Sequence, residues 1–244
     1  MRNYYFVAAS LPDLQLHKEL EITFSDLMRL FAMNLHSEDF AQIAIFRSYF
    51  DLDNIFHLLR EEELDPRGNL FRWELEEALL HTQGLPEYII EFLLRYPKDE
   101  QRLKNSHIAY ELFYRRVIAQ TSGFLHTYLL FERRMRLVLA AYRAKKEGRA
   151  WENELIDEER SELFTAQLIA QKEGTTLDFP LEYRSLYEKI QSAEAPQEQN
   201  LAIAEYRIRK IDEMCDFPLF SFDYLVAYMA KFIILEELQN VMSR

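Results

Sequence analysis

The sequence predicts an all-α protein of several helical lobes, with a short extended segment at its N-terminus. Three observations support this prediction. The 244 residues include only 5 glycines and 7 prolines, too few turn-forming residues for a sheet of many short strands. Hydrophobic residues make up 49% and charged residues 29%, a balance typical of a globular protein with a sizeable core. Apolar residues recur along most of the chain at the spacing of amphipathic helices.

The chain begins with its best candidate for a β-strand. Residues 4–9, YYFVAA, form a short aromatic-rich run that stops before Pro12. Thr23 and Asp26 then match a capping box at the start of a first helix. Ser37, which two acidic residues follow, is expected to begin a second helix.

The sequence of the middle of the chain predicts a turn followed by long helices. Residues 65–68, Asp-Pro-Arg-Gly, have the composition of a turn, and Asn69 is expected to cap a helix that ends near Gly84. From residue 99 to residue 146 the helical pattern is nearly continuous. Gly123 weakens it, so we expect either one long helix or two helices with a kink there.

The last part of the chain is predicted to form four helices, at about 151–173, 181–192, 200–215 and 221–242. The stretch 192–200, SAEAPQEQN, has the composition of a linker, and Ser221 is expected to cap the final helix. The whole pattern is consistent with three lobes, at about 1–98, 99–192 and 193–244.

Charge and composition exclude several classes of protein. The net charge of −12 and the pI of about 5.1 argue against nucleic-acid binding, which needs a basic face. The single Cys215 cannot form an internal disulfide or a zinc ribbon, and it fits a reducing cytosol. No apolar run approaches the roughly 18 residues of a membrane span, and the first apolar run is too short for a signal peptide. We therefore expect a cytoplasmic protein.

The chain lacks the sequence motifs of common catalytic and cofactor sites. It contains no GxGxxG or GxxxxGK[ST] loop, no HExxH or Cys-pair zinc pattern, and no GxSxG, SxxK or EF-hand signature. Its six histidines lie far apart in the sequence. We therefore predict no catalytic residue, no metal site and no cofactor, and we expect the histidines to be surface or packing residues.

The segment 49–64, YFDLDNIFHLLREEEL, crowds two aspartates, an asparagine and a histidine together, which raises the question of a metal or catalytic cluster. Helical residues two apart point in different directions, so Asp51 and Asp53 make a poor metal clamp. If a helix begins at Asp51, its carboxylate can accept hydrogen bonds from free backbone N–H groups, and the helix dipole favours Asp53. We therefore predict that Asp51, Asp53 and Asn54 form a structural helix start.

The densest basic segment of this acidic chain lies within residues 131–148, and its arginines are Arg133, Arg134, Arg136 and Arg143. Arg133 and Arg136 share a helix face. One hypothesis is that these two residues meet acidic groups of a partner, where a paired arginine can act as an anchor. The alternative is a solvated face that acidic neighbours on the same chain balance.

Four stretches together resemble a known bacterial family: YYFVAASLPDL, YFDLDNIFHLLR, FLHTYLLFERRMRLVLAAYRAKKEG and FDYLVAYMAKFIILEELQNVMS. That family of uncharacterised proteins is carried in V-type ATPase operons of chlamydial and Bacteroidetes-type bacteria. It is similar in turn to the C/d-type subunit of A/V-type ATPases. In those proteins an aspartate followed by an Asn-Leu-type pair opens a helix, and Asp51, Asn54 and Ile55 resemble that pattern.

The resemblance implies a funnel of helical lobes that caps the membrane rotor ring and seats the central stalk. Such a protein takes part in proton or sodium transport without a catalytic site of its own. Its implied partners are the rotor ring and the central stalk, so it would contact the inner membrane only through the complex. Two alternatives stay open: a helical adaptor or assembly factor for this or another complex, and an enzyme with an unrecognised helical-bundle site.

Overall fold

The computed structural model describes residues 3–149, 164–166 and 180–243, and helices dominate these ranges. Residues 164–166 are helical, and eleven helices have both ends within the described ranges: α1 (Tyr5–Ser10), α2 (Phe24–Asn34), α3 (Ser37–Leu59), α4 (Arg72–His81), α5 (Glu87–Arg95), α6 (Asp99–Lys104), α7 (Ser106–Ile118), α8 (Gly123–Lys146), α9 (Leu181–Ser192), α10 (Pro196–Met214) and α11 (Phe222–Met242). The predicted all-α class is confirmed. Apart from residues 164–166, the acidic helix expected at 151–173 lies outside the described residues.

Contacts divide the chain into two compact units: unit 1, with Met1–Leu35 and Gly123–Arg244, and unit 2, with His36–Ser122. This division differs from the three consecutive lobes expected at about 1–98, 99–192 and 193–244. A boundary at residue 98 would separate α3 from α6 and α7, and one at residue 192 would separate α9 from α10, although both sets of helices pack together. Helix packing depends on contacts between residues far apart in sequence, which periodicity does not reveal.

Unit 1 is built around α11, which is apolar on nearly all sides. Helices α2, α8 and α10 pack against it. Val226 and Met229 are fully buried, whereas Met242 at the end of the helix is 57% exposed. A helix that is hydrophobic all round is typical of the centre of a domain. The Ser221 hydroxyl accepts a hydrogen bond from the backbone N–H of Tyr224 at 3.2 Å, which confirms the predicted cap.

Gly123 marks the start of α8, so the expectation of one long helix is wrong and the alternative of a division at Gly123 is confirmed, although the stretch is also divided at Asn105, between α6 and α7. Its φ of +61° favours glycine. An added Cβ would also lie 2.7 Å from Oδ1 of Asp223, in the first turn of α11. That same oxygen accepts a hydrogen bond from the backbone N–H of Phe124 at 3.1 Å. Asp223 therefore caps α8 from a neighbouring helix, and glycine permits the close approach.

The predicted strand at residues 4–9 is wrong, because Tyr5–Ser10 forms α1. Among the described residues at this end of the chain, the extended pairing is the antiparallel bridge between Asn3 and Ser221. Tyr4, Val7 and Ala8 are buried at the spacing of a helix face. A short apolar run does not distinguish strand from helix by composition alone, and here the packing of one helical face decides.

Two further predictions for unit 1, a capping box at Thr23 and a linker at 192–200, had different outcomes. The capping box is confirmed, since Thr23 Oγ1 accepts from the Asp26 N–H and Asp26 accepts from the Thr23 N–H, each at 3.1 Å. The predicted linker at 192–200 is wrong over most of its length, because α10 begins at Pro196. Proline at the first position suits a helix start, since it has no N–H to leave unsatisfied.

Unit 2 is organised around α3, a helix of 23 residues that packs against α6 and α7. It begins at Ser37, as predicted. Aromatic rings fill its contact with α7: the Tyr49 ring lies 5.9 Å from Tyr110 and 5.8 Å from Phe113. Helix α5 packs against α7 as well. The long α3 therefore provides the frame on which the loops of this unit are placed.

The cap that Asp223 provides to α8 leads to a first prediction. Asp223→Ala should lower the free energy of unfolding by about 1–2 kcal/mol, as the loss of a helix cap does. Asp223→Asn keeps an acceptor oxygen and should lose less. Urea denaturation measures both, with the exposed Asp216 as control, where Asp216→Ala should stay within about 0.5 kcal/mol. Equal effects at the two positions would contradict the proposed cap.

Candidate functional site

Asp51 lies in the interior of α3 rather than at its start. The helix already begins at Ser37, so the prediction that Asp51, Asp53 and Asn54 open a helix is wrong. Aspartate is disfavoured within helices because its side chain competes for nearby backbone groups. Its presence in mid-helix therefore points to a partner elsewhere in the fold.

The partner of the Asp51 carboxylate is the loop that leads into α4. Asp51 is only 6% exposed. Its Oδ1 accepts hydrogen bonds from the backbone N–H groups of Asn69 at 2.6 Å and Leu70 at 3.0 Å, and Oδ2 accepts from the Asn69 side chain at 2.6 Å. Burial raises the pKa of Asp51, while these hydrogen bonds and the charge of Arg47 act in the opposite direction. The carboxylate does bind backbone donors, but those of a distant loop.

Asn54 and Arg47 hold the same loop from the same face of α3. Asn54 donates to the carbonyl of Asp65 at 2.9 Å and accepts from its N–H at 2.7 Å. Arg47 Nε donates to the carbonyl of Arg67 at 2.8 Å. Positions 47, 51 and 54 follow the i, i+4, i+7 spacing of one helix face. We call Arg47, Asp51 and Asn54 the loop clamp.

Gly68 makes this close contact possible. A Cβ at Gly68 would lie 2.8 Å from both Oδ1 of Asp51 and Nδ2 of Asn54, closer than side chains tolerate. The expected role of Asn69 as a helix cap is wrong, because its side chain donates to Asp51 and to the Ala44 carbonyl instead. Helix α4 has Phe71 at its N-cap position. The loop clamp therefore forms hydrogen bonds with the turn predicted at residues 65–68.

Asp53 points away from the loop clamp, as its spacing from Asp51 predicted. Tyr110 donates its hydroxyl hydrogen to Asp53 Oδ1 at 2.5 Å, which links α3 to α7. Burial raises the pKa of Tyr110 well above its ordinary value. His57 Nε2 lies 3.9 Å from Asp53 Oδ2 and 3.9 Å from Glu62 Oε2. These groups connect elements of unit 2.

The arrangement around Asp51 is therefore suited to holding backbone in place. The hydrogen bonds described above for the Asp51 and Asn54 side chains all go to residues 65–70. Among the residues that the structure describes, no three His, Cys, Asp or Glu side chains are grouped as a metal site would require. Over the same residues, no helix combines the length and apolarity needed to cross a bilayer.

The basic segment of α8 does not present the expected pair of arginines. Arg133 is 6% exposed, so it is not accessible to a partner, and this contradicts the hypothesis that Arg133 and Arg136 act together as an anchor. Arg134 is half-buried and places its guanidinium 5.4 Å from the centre of the Phe164 ring. Arg136 is half-buried, and Arg143 is exposed. Burial differs among these arginines because α8 packs against other helices of unit 1.

Unit 1 contains a partly buried ion cluster that the sequence did not indicate: the side chains of Arg207 and Glu132 are 18% and 15% exposed, and that of Glu237 is 39% exposed. Arg207 on α10 lies 2.9 Å from the Glu132 carboxylate of α8 and 3.2 Å from the Glu237 carboxylate of α11. Burial by itself would lower the pKa of Arg207, but the two carboxylates raise it well above its usual value. The cluster ties three helices together. No spacing rule could find it, because 75 residues separate Glu132 from Arg207.

Helix α4 carries the most unusual surface of unit 2. Leu75 and Ala78 on its inner side are buried. Its outer side exposes Trp73 by 62% and Leu80 by 77%, and Phe71 just before the helix is 70% exposed. A shallow groove runs beside Trp73, lined by Leu70, Trp73, Glu74, Glu77, Ala78, His81, Gln83 and Gly84. We call Trp73 and Leu80 the α4 outer face.

The loop clamp predicts a large effect at Asp51. Asp51→Ala leaves the N–H groups of Asn69 and Leu70 without their acceptor and should cost about 3 kcal/mol or more. A simple helix cap would cost about 0.5–2 kcal/mol. Asp53→Ala is the matched control, because it loses one hydrogen bond from Tyr110 and should cost about 1 kcal/mol. Urea denaturation measures both, and similar losses would contradict the clamp.

The ion cluster predicts that Arg207→Leu destabilises the protein by about 1–2 kcal/mol, because Glu132 loses its counter-charge while the more exposed Glu237 stays partly solvated. The double variant Arg207→Leu with Glu132→Leu should recover part of that loss. Arg209→Leu serves as control on the same helix, since its pair with Glu213 is exposed and worth less than about 1 kcal/mol. Thermal and urea denaturation measure these changes. A double variant no more stable than Arg207→Leu would contradict the proposed ion cluster, because the removal of Glu132 would then relieve no unpaired charge.

Comparisons with known proteins place the chain in a family. Uncharacterized proteins of Chlamydia muridarum and Chlamydia trachomatis are each 23% identical to it over 240 residues, and one of Chlamydia pneumoniae is 24% identical over 241 residues. Each alignment covers 96% of this chain and 90% of the relative. No solved structure matches the chain. The family described as "Protein of unknown function (DUF2764)" matches residues 1–242, so the chain belongs to that family.

Proposed function

We propose that this chain is a non-catalytic central-stalk component of a V-type ATPase, which links the membrane rotor ring to the central shaft. The observation that carries the proposal is the α4 outer face, where large apolar side chains are exposed beside carboxylates. Surfaces of this kind bind other proteins. The resemblance of four sequence stretches to the C/d-type family supports the choice of complex.

The geometry of α4 gives it two apolar sides. Leu75 and Ala78 attach the helix to unit 2. Trp73 and Leu80 are seven residues apart, so they lie two turns apart on the opposite side. A single exposed leucine is common on protein surfaces, whereas a tryptophan and a leucine exposed on one face indicate an interaction site. Tryptophan is also among the residues that contribute most to binding at interfaces.

The charges beside the α4 outer face indicate the chemistry of its partner. Glu77 is exposed at the edge of the groove, between Trp73 and Leu80 on the helix surface. Glu76 is also exposed and lies 3.6 Å from Arg72. We therefore expect a partner protein with apolar side chains flanked by lysine or arginine. An acidic and apolar surface of unit 2 thus takes the role that the sequence suggested for the arginines of α8.

The proposal predicts that Trp73→Ser with Leu80→Ser weakens assembly. Both side chains are exposed, so the free energy of unfolding should change by less than about 0.5 kcal/mol per site. Binding should weaken by about 2 kcal/mol or more, as expected for the loss of interface anchors. The measurement is purification of the tagged chain from its native cells, with V-type ATPase subunits quantified by mass spectrometry.

Leu94→Ser is the matched control, because Leu94 is 71% exposed on α5 of the same unit. It should leave assembly unchanged. Copurification of the wild-type chain with V-type ATPase subunits at fixed stoichiometry would support the proposal. Substoichiometric recovery would instead identify an adaptor or assembly factor, and no recovery of V-type ATPase subunits would contradict a role in that complex.

A further inference from the structure

The turn before α11 places a phenylalanine where the backbone favours glycine. Phe220 has a φ of +72°, in a region that bulky side chains rarely adopt. The N–H of Ser221 donates to the carbonyl of Pro218 at 3.2 Å. A positive φ at the third residue matches a type II turn, in which this position normally holds glycine or asparagine. The fold would therefore accept glycine here with less backbone strain.

The strained phenylalanine forms part of an exposed apolar surface. Its ring is half-buried and lies 4.9 Å from the ring of Tyr5. Tyr5 is 60% exposed, Phe6 is 69% exposed and Leu219 is 65% exposed. The Tyr4 N–H donates to the Phe220 carbonyl at 2.7 Å, which fixes the turn beside α1. We call Tyr5, Phe6, Leu219 and Phe220 the aromatic patch.

The charge of the aromatic patch restricts its partner. Residues 3–12 and 217–222 contain no charged side chain, in a protein with a net charge of −12. Nucleic acid and anionic membrane surfaces are attracted by lysine and arginine. These two segments offer neither. Apolar contact with an uncharged surface is the interaction that this composition favours.

The size of the aromatic patch restricts the partner further. Aromatic side chains cover roughly 150–250 Å² each, so the exposed fractions amount to an area on the order of 400 Å². A stable interface between two proteins buries about 800 Å² on each partner. The patch is therefore too small to hold a second copy of this chain by itself. It matches a short segment, such as a few turns of one helix.

We propose that the aromatic patch docks a short, uncharged apolar segment of another protein, and that Phe220 is kept in its strained conformation for this contact. The inference goes beyond the proposed function, because it concerns unit 1 and holds for any complex that supplies such a segment. Strained residues persist where function requires them. A side chain whose only role was to stabilise the turn would gain nothing from replacing glycine.

The test combines a stability measurement with photo-crosslinking. Phe220→Gly should leave the melting temperature unchanged or raise it, because the relief of backbone strain offsets the loss of the half-buried ring contact with Tyr5. A benzoylphenylalanine at position 6 should crosslink, in the native cells, to an uncharged apolar segment of another protein. The yield of that crosslink should fall about tenfold or more in Phe220→Gly. The same crosslinker at position 33, where Met33 is 70% exposed in unit 1, should not reach that segment.

Several outcomes would overturn the inference. A lower melting temperature for Phe220→Gly would show that the ring stabilises the fold by packing against Tyr5. Crosslinks to a second copy, to lipid or to a charged segment, or no crosslink at position 6, would show a different use of the patch. A crosslink to an apolar segment of a protein outside the V-type ATPase would support this inference while counting against the proposed function.

Discussion

The hydrogen bonds from the backbone of residues 69 and 70 to the buried carboxylate of Asp51 organise unit 2. A carboxylate in the interior of a helix loses its hydration, and donors of the protein must replace it. The loop after α3 supplies these donors, and in return the carboxylate fixes where α4 begins. The α4 outer face follows directly after this loop. Its orientation on unit 2 therefore depends on a group in the middle of the preceding long helix.

In unit 1, as in unit 2, a charged side chain removed from water is held by partners within the protein. Here the charged side chain is an arginine and its partners are two carboxylates. Arg207 is partly buried between Glu132 and Glu237, and the three residues belong to three different helices. Buried ionic groups require matched partners, so they favour one arrangement of the helices over others that bury a similar apolar area. Asp223 adds a further polar link, because it caps α8 from the first turn of α11. Apolar packing supplies most of the stability of both units, and these polar contacts specify which helix surfaces meet within each unit.

Two surfaces contribute neither to the apolar packing nor to the polar contacts that hold each unit together. The α4 outer face exposes Trp73 and Leu80, and the aromatic patch exposes Tyr5 and Phe6 around a strained Phe220. Large apolar groups in water, and a bulky residue at positive φ, both lower the stability of an isolated chain. Their presence is understandable if partners cover them. This is why the function proposed for the chain rests on surfaces rather than on a catalytic cluster.

The sequence by itself determined the helical class, the capping box at Thr23 and the cap at Ser221, and it offered a break at Gly123 as one of two alternatives. These features depend on residues within one helical turn, so spacing and residue type suffice to predict them. Only the tertiary structure decided that residues 5–10 form a helix and that Asp51 holds a distant loop. A carboxylate has the same sequence neighbours whether it caps its own helix or binds backbone 18 residues away, and only the packing of the folded chain distinguishes the two.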